Sequence, residues 1–419
     1  MSMIDRAHWR ILFASMVGTA IEFYDFYIYA TAAALVFGPL FFPSHDPALQ
    51  LLSAYASFGI AFVARPVGSV VFGHFGDRIG RKSTLVASLM LMGVSTFLIA
   101  FLPTYQMVGW VAPVLLCLLR FGQGLGLGGE WGGAALLAVE NAPKGWKGRY
   151  GTAPQFGAPV GFIAANGLFL LIGLCLSQQQ FLDWGWRIPF LLSAGLVIIG
   201  LWVRLRLTET PDFLAVKAEH KTEHVPIAAL FRDHKWATFC GIFAAVACFA
   251  LFYIATAFAL GHGTSVQGHS RNAYLSIQLV AILFLALGIL VAGIWSDKTS
   301  PSRVLVIGSV ATIIIGLLMG VMMGAGGLLP TFIYLSSALF VMGLVYGPLG
   351  AWLPGLFPAR LRYTGASVAF NAAGILGGAM APIAAQYLAD HGGLGLVGLY
   401  LSTAGLLSLI GLMGLRKRG

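Results

Sequence analysis

Residues 73–82 read GHFGDRIGRK, a charged, glycine-rich turn wedged between two long apolar runs at roughly 49–75 and 83–102. A turn holding Asp77, Arg78, Arg81 and Lys82 cannot lie in hydrocarbon, whereas an apolar run of about 20 residues or more is what a membrane-spanning helix requires. The turn therefore reads as the connection between two spans. A weaker copy lies further on. Gly73, Asp77 and Arg78 recur as Gly293, Asp297 and Lys298 in GIWSDKTSPSR (293–303), all at an offset of 220, and Gln155 and Gly161 match Asn371 and Gly377 at an offset of 216. The chain is thus written twice, each half with a charged turn after its second span.

Outward from that turn the same pattern fills the chain. Of 419 residues, 58% are hydrophobic and only 10% are Asp, Glu, Lys or Arg, with mean hydropathy +0.85, a balance no soluble fold of this size has. Six spans are predicted in the first half, at roughly 11–38, 49–75, 83–102, 107–141, 151–176 and 187–207. Six more follow at roughly 236–261, 273–296, 303–325, 329–356, 363–389 and 394–415. The first run carries Glu22 and Asp25 and has no small-residue cleavage site, so it reads as an uncleaved span, not a signal peptide. The expected fold is an all-α polytopic membrane protein of twelve transmembrane helices in two six-helix repeats. Its parts are an amino-terminal bundle (1–207), a polar cytoplasmic linker (208–235) and a carboxyl-terminal bundle (236–419). Fifty-four glycines suit close helix packing in a bilayer. Cys117, Cys175, Cys240 and Cys248 sit in apolar stretches without ligand spacing, so thiols are expected, with no disulfide framework, metal or cofactor.

The net charge of +10 is a matter of placement. Of 25 Lys and Arg, only Arg65, Arg120, Arg187 and Arg271 lie outside the amino terminus, the loops after even-numbered spans and the carboxyl tail. By the positive-inside rule both termini are cytoplasmic, and the charge marks topology and lipid contact, not nucleic-acid binding.

Several runs carry a family likeness: GTAIEFYDFYIY in span 1, FVARPVGSVVFGHFGDRIGRK in span 2, RFGQGLGLGGEWGG in span 4, TETPDF near Glu209 and LFPARLRYTGAS after span 10. Together they resemble the metabolite:proton symporters of the major facilitator superfamily, the permeases of shikimate, 2-oxoglutarate, citrate and proline or betaine. The resemblance implies the major facilitator fold, alternating access and a bacterial cytoplasmic membrane. It also implies that Gly73, Asp77, Arg78, Gly80, Arg81 and Lys82 latch the cytoplasmic face in the outward-facing state, with Glu140 and Arg149 as charge-relay partners. Gly124, Gly126 and Gly129 satisfy G-x-G-x-x-G, but the motif follows no strand and continues an apolar helix, so helix packing is expected there, not a dinucleotide.

Ionisable groups inside spans single out the site. Glu22, Asp25, Arg65, Arg120 and Glu130 all lie in the amino half, and each costs roughly 2.5–3.5 kcal/mol at a helix centre unless paired or wet. A rise of 1.5 Å per residue puts Glu22 roughly 16 Å deep and Asp25 roughly 21 Å. Glu22, Asp25 and Tyr29 share one helix face by spacing. Glu130 is expected to be a fixed partner of Arg65. In the carboxyl half Tyr253, Gln278, Tyr346 and Asn371 are neutral hydrogen-bonding candidates. His262 and His269 are expected to be solvated, in the loop outside span 7.

The reading that follows is a monomeric, proton-coupled importer of a small organic acid, not an enzyme. Asp25 is expected to take the coupling proton, with Glu22 and Glu130 behind it, and Arg120 to hold the substrate carboxylate once Asp25 is protonated and releases it. Arg65, Tyr29 and Gln123 are the further substrate candidates. The absence of a long heptad tail after Gly419 counts against the osmolyte branch, although a zwitterion such as betaine or proline stays open as an alternative. From another class, so does a passive channel or membrane sensor.

Overall fold

The computed structural model describes residues 6–79, 81–205, 226–358 and 361–416, with the side chains of 6–8, 10, 11, 14, 73–85, 203–205, 226 and 416 outside that description. Every regular element among the described residues is helical. Among the described residues ten helices are long and apolar enough to cross a membrane. The last of them, Arg362–Leu415, is two spans, because Gly393 at φ 73° bends the chain where a side chain would be strained. The helix Arg81–Ile99, 19 residues and about 28 Å long, is a further crossing. Twelve spans result, in the predicted order.

The halves are built alike. Span 1 (Arg6–Ala32) runs on through a π-helical turn, Ala33–Phe37, and span 7 (Lys235–Tyr253) through another, Ile254–Phe258, at an offset of 221. These two π-turns touch across the halves. A third, Ile375–Ala379, lies in span 11. Each inserts a residue into the helix and re-aims the side chains beyond it.

Small residues set the close approaches. A Cβ on Gly124 would stand 2.4 Å from the Ala61 carbonyl oxygen of span 2 (Pro47–Ile79), and one on Gly126 2.6 Å from that of Ser88 in span 3. The G-x-G-x-x-G run of span 4 (Val111–Leu127, resuming as Glu130–Glu140) is therefore a helix-packing surface. Within the linker, Pro226–Asp233 is a helix whose Leu230 packs on Phe357 and Val368.

Contacts between the halves occur on both membrane faces. The face of the 141–146 and 299–300 turns is called the latch face below, and the other the opposite face.

Candidate functional site

Span 1 delivers Phe26 and Tyr29 to the middle of the bundle, where two cations meet them. The Arg120 guanidinium carbon lies 4.3 Å from the Phe26 ring centre, 4.0 Å from Tyr29 and 4.8 Å from Phe58. That of Arg65, in span 2, lies 4.4 Å from the same Phe26 ring and 5.0 Å from Phe62. Both arginines are buried, and they are near enough to repel each other. The rings offset part of the lost hydration. Arg65 Nε and one terminal nitrogen of Arg120 nevertheless have no hydrogen-bond partner. Two like charges over one ring, each with a spare donor, form an arrangement an anion would complete.

The acids stand around this pair, and three expectations need correction. Arg120 makes no ion pair with Asp25. It donates to Gln123 Oε1 and, at 3.4 Å, to the Phe58 carbonyl, while Gln123 Nε2 donates to the Asp25 carbonyl and to Thr96, both at 2.9 Å. The coupling between Arg120 and Asp25 thus runs through an amide. The Asp25 carboxyl faces span 6 (Ile188–Leu205), where Ser193 donates to it at 2.6 Å, whereas the Tyr29 hydroxyl turns to Ser57 of span 2, so the shared face predicted from spacing is divided between two neighbours. Asp25 is fully enclosed, and its second oxygen has no partner of normal geometry although the Thr96 hydroxyl is close by. No ion pair joins Glu130 to Arg65 among the described contacts; the Glu130 carboxylate accepts from Ser88 at 2.8 Å, and Glu22 is the acid whose charge reaches Arg65. The contact of Arg65 with span 1 is the Phe26 ring, next in sequence to Asp25.

The carboxyl half supplies a wall. Tyr253 packs edge-on against Phe26, Phe58 and Phe62 at 5.2–6.1 Å. Gln278 donates to the carbonyls of Ala255 and Thr256 in the π-turn, at 3.1 and 2.9 Å. Gln278, whose side-chain oxygen has no partner, also lines a small cavity of about 10 Å³, room for about one water, with Tyr27, Thr31 and Asn166. The Tyr346 hydroxyl is buried without a partner, while its carbonyl accepts from Gln155. Asn371 has no described hydrogen bond to either arginine; it donates to Ser69 and to the Gly128 carbonyl at the break in span 4.

Described contacts join the halves on both faces. On the latch face Asp297 accepts from the Gly148 and Arg149 backbone N–H groups at 2.7 and 3.3 Å and pairs with the Arg149 side chain at 3.2 Å. Glu140 pairs with Arg362 at 3.6 Å, and Trp131 lies flat on Phe370 at 3.7 Å. The described ion pairs of Arg149 and Glu140 therefore reach the carboxyl half, while the Arg149 guanidinium also lies over the Trp146 ring at 4.3 Å. The side chains of Gly73, Asp77, Arg78, Gly80, Arg81 and Lys82 lie outside the described residues. On the opposite face the Tyr55 hydroxyl donates to the Ala257 carbonyl at 2.8 Å, and a Cβ on Gly261 would strike it at 2.2 Å. His262 is buried there, stacked on Phe258, because span 7 continues past its π-turn to Ser265. The predicted loop begins later than expected, and only His269 lies in it.

Sequence reasoning missed Ser193, Thr96 and Asn166, which nothing in their apolar surroundings marks, and it missed the contact of Asp297 with Gly148 and Arg149 although the offset of 220 pointed to that turn.

The profile of the sugar (and other) transporter family matches residues 11–227. The "Inner membrane metabolite transport protein YhjE" of Escherichia coli (strain K12) is 49% identical over 96% of this chain and 93% of its own length. The "Shikimate transporter" of the same organism is 37% identical over 91% and 88%. Among solved structures, the major facilitator superfamily proton:xylose symporter XylE superposes with TM-score 0.75 at 16% identity, over 96% of this chain and 94% of that one, a likeness of fold. Twelve helical spans in two like halves, with the buried charge of the described residues gathered in the first, accord with these matches: the chain belongs to the sugar (and other) transporter family.

Proposed function

We propose that the chain carries a small organic acid into the cell together with protons, as a monomer in a bacterial inner membrane with both termini cytoplasmic. The observation that carries this reading is the pair of guanidinium groups over Phe26, each with an unpartnered N–H. A carboxylate bridging Arg65 and Arg120 gains charge-assisted hydrogen bonds from both and relieves their repulsion. It competes with Glu22 for Arg65 and with Gln123 for Arg120. Releasing Gln123 from Arg120 loosens the amide that holds span 1 at Asp25, so substrate and coupling carboxyl share one mechanical link. An anion entering against the membrane potential meets about 2.3 kcal/mol per charge per 100 mV, which a co-transported proton on a buried carboxyl offsets.

The test has two parts. A thermal-shift screen of the purified protein with shikimate, 2-oxoglutarate, citrate, aromatic acids, proline and betaine should stabilise it with an acid. Uptake of that acid into proteoliposomes should be driven by an inward proton gradient and collapse with a protonophore. Stabilisation by betaine or proline alone would move the substrate to zwitterions, and protonophore-resistant flux would make the chain a passive pathway.

A further inference from the structure

On the opposite face the two cations that topology does not ask for are used differently. Arg187 is spent on structure, donating to the carbonyls of Asp183 and Leu102 at 3.0 and 2.9 Å and stacking on Trp186. Arg271, at the start of span 8 (Arg271–Lys298), lines a cleft of about 360 Å³ between the halves. That volume is within the range of small-molecule sites, roughly 300–1,000 Å³.

The cleft has a defined chemistry. Among the described residues Arg271 and His269 are the ionisable groups lining it, and no acid does. The Arg271 guanidinium is held flat on the buried Phe181 ring at 3.7 Å and donates to Gln178 at 3.1 Å and Asn272 at 3.4 Å. These contacts occupy two of its five N–H donors and fix the plane of the fork. His269 Nε2, on the same wall, has no hydrogen-bond partner. Gln50 lines the facing wall. The floor is the closed seal itself: Leu51 lines the cleft and abuts Gly261, which lies under the Tyr55 hydroxyl.

We propose that this cleft is a second, outer anion site, an anteroom in which Arg271 and His269 hold a small carboxylate above the seal before it reaches Arg65 and Arg120. The ligand class rests on the organic-acid reading of the central site, while the cleft's own charge and shape stand without it. Because spans 1, 2, 7 and 8 all contribute, the anteroom changes shape whenever the seal opens, so a captured anion is handed inward or released.

The probe is 4-fluorobenzoate, followed by fluorine NMR on the full chain in detergent, with 4-fluorobenzamide as the uncharged control. Arg271→Gln should weaken one component of benzoate binding about tenfold, close to the loss of one charge-assisted contact. Arg271→Lys should restore part of it. Ser265→Trp, which fills the cleft from its lip and leaves Arg271 in place, should remove the same component. That component should survive Arg120→Gln. If the central reading is wrong, Arg120→Gln changes nothing while Arg271→Gln still acts, so the two ideas fail separately. Equal binding of the benzamide overturns the anteroom, as does indifference to both Arg271→Gln and Ser265→Trp in variants that melt normally. Loss of the component on adding phosphatidylglycerol would make the cleft a lipid-headgroup site and overturn it too.

Discussion

Span 1 and span 7 open the two repeats, and both carry a π-turn, yet their interiors differ in kind. Counting on by the 221 residues that separate the π-turns, Glu22 and Asp25 correspond to Phe243 and Val246; by the 220 of the charged turns, Arg65 corresponds to Leu285. One copy of the fold keeps ions where the other keeps hydrocarbon. Buried polar groups of the second copy are spent on hydrogen bonds of structure: Gln278 holds two carbonyls of its own π-turn, and Asn371 holds Ser69 and the Gly128 carbonyl of the first copy. A repeat does not have to share its chemistry. Two like bundles suffice for a rocking motion, while charge that costs kilocalories to bury is kept in one of them, where Arg65, Arg120, Glu22 and Asp25 act on one another within a few turns of helix.

That contrast is easiest to break at its strongest point. Arg120→Gln should weaken substrate binding by about 100-fold or more, the loss expected for a bidentate charge-assisted contact in a dry site, whereas Gln278→Leu on the other side should cost no more than about fivefold. Equilibrium binding of the acid found in the screen measures both, and comparable losses would show that the carboxyl half shares the recognition.

The latch face sharpens the comparison next. Asp297→Asn removes the ion pair to Arg149 and weakens two backbone contacts, and should speed maleimide labelling of a cysteine at Ser367 about tenfold in a chain whose four native cysteines are replaced. Asp77→Asn, at the first copy of the turn, should leave binding nearly intact and slow interconversion of the two access states. Labelling that responds to Asp77→Asn and not to Asp297→Asn would put closure in the first repeat alone.

The smallest effect is expected on the opposite face. Tyr55→Phe deletes one hydrogen bond, worth about 1 kcal/mol, and should raise labelling of a cysteine at Ala379 about fivefold. No change would mean that packing of Gly59 and Gly261, not the hydroxyl, holds that seal.

How far the sequence reaches differs by level. Spans and repeat are legible because bilayer thickness fixes helix length and because two charged turns 220 residues apart stand out against apolar runs. The buried charges are legible for the same reason. Their partners are not. Hydroxyls in these spans commonly bond their own helix, as Thr256 does to Phe252 and Ser309 to Leu305, so nothing distinguishes Ser193, which instead reaches Asp25. The π-turns have no sequence signature either. The one in span 7, with the helix that continues beyond it, turns His262 from an expected loop residue into a buried one. Rotation about span 1 likewise separates Asp25 from Tyr29, which spacing alone had placed together.

The central claim is that proton coupling resides in the amino half at Asp25. In proteoliposomes loaded with the transported acid, Asp25→Asn should keep exchange of labelled for unlabelled substrate at a rate within about threefold of the parent while losing accumulation driven by a pH gradient. Full pH-driven accumulation by Asp25→Asn would contradict the account and move the coupling proton to Glu22 or Glu130.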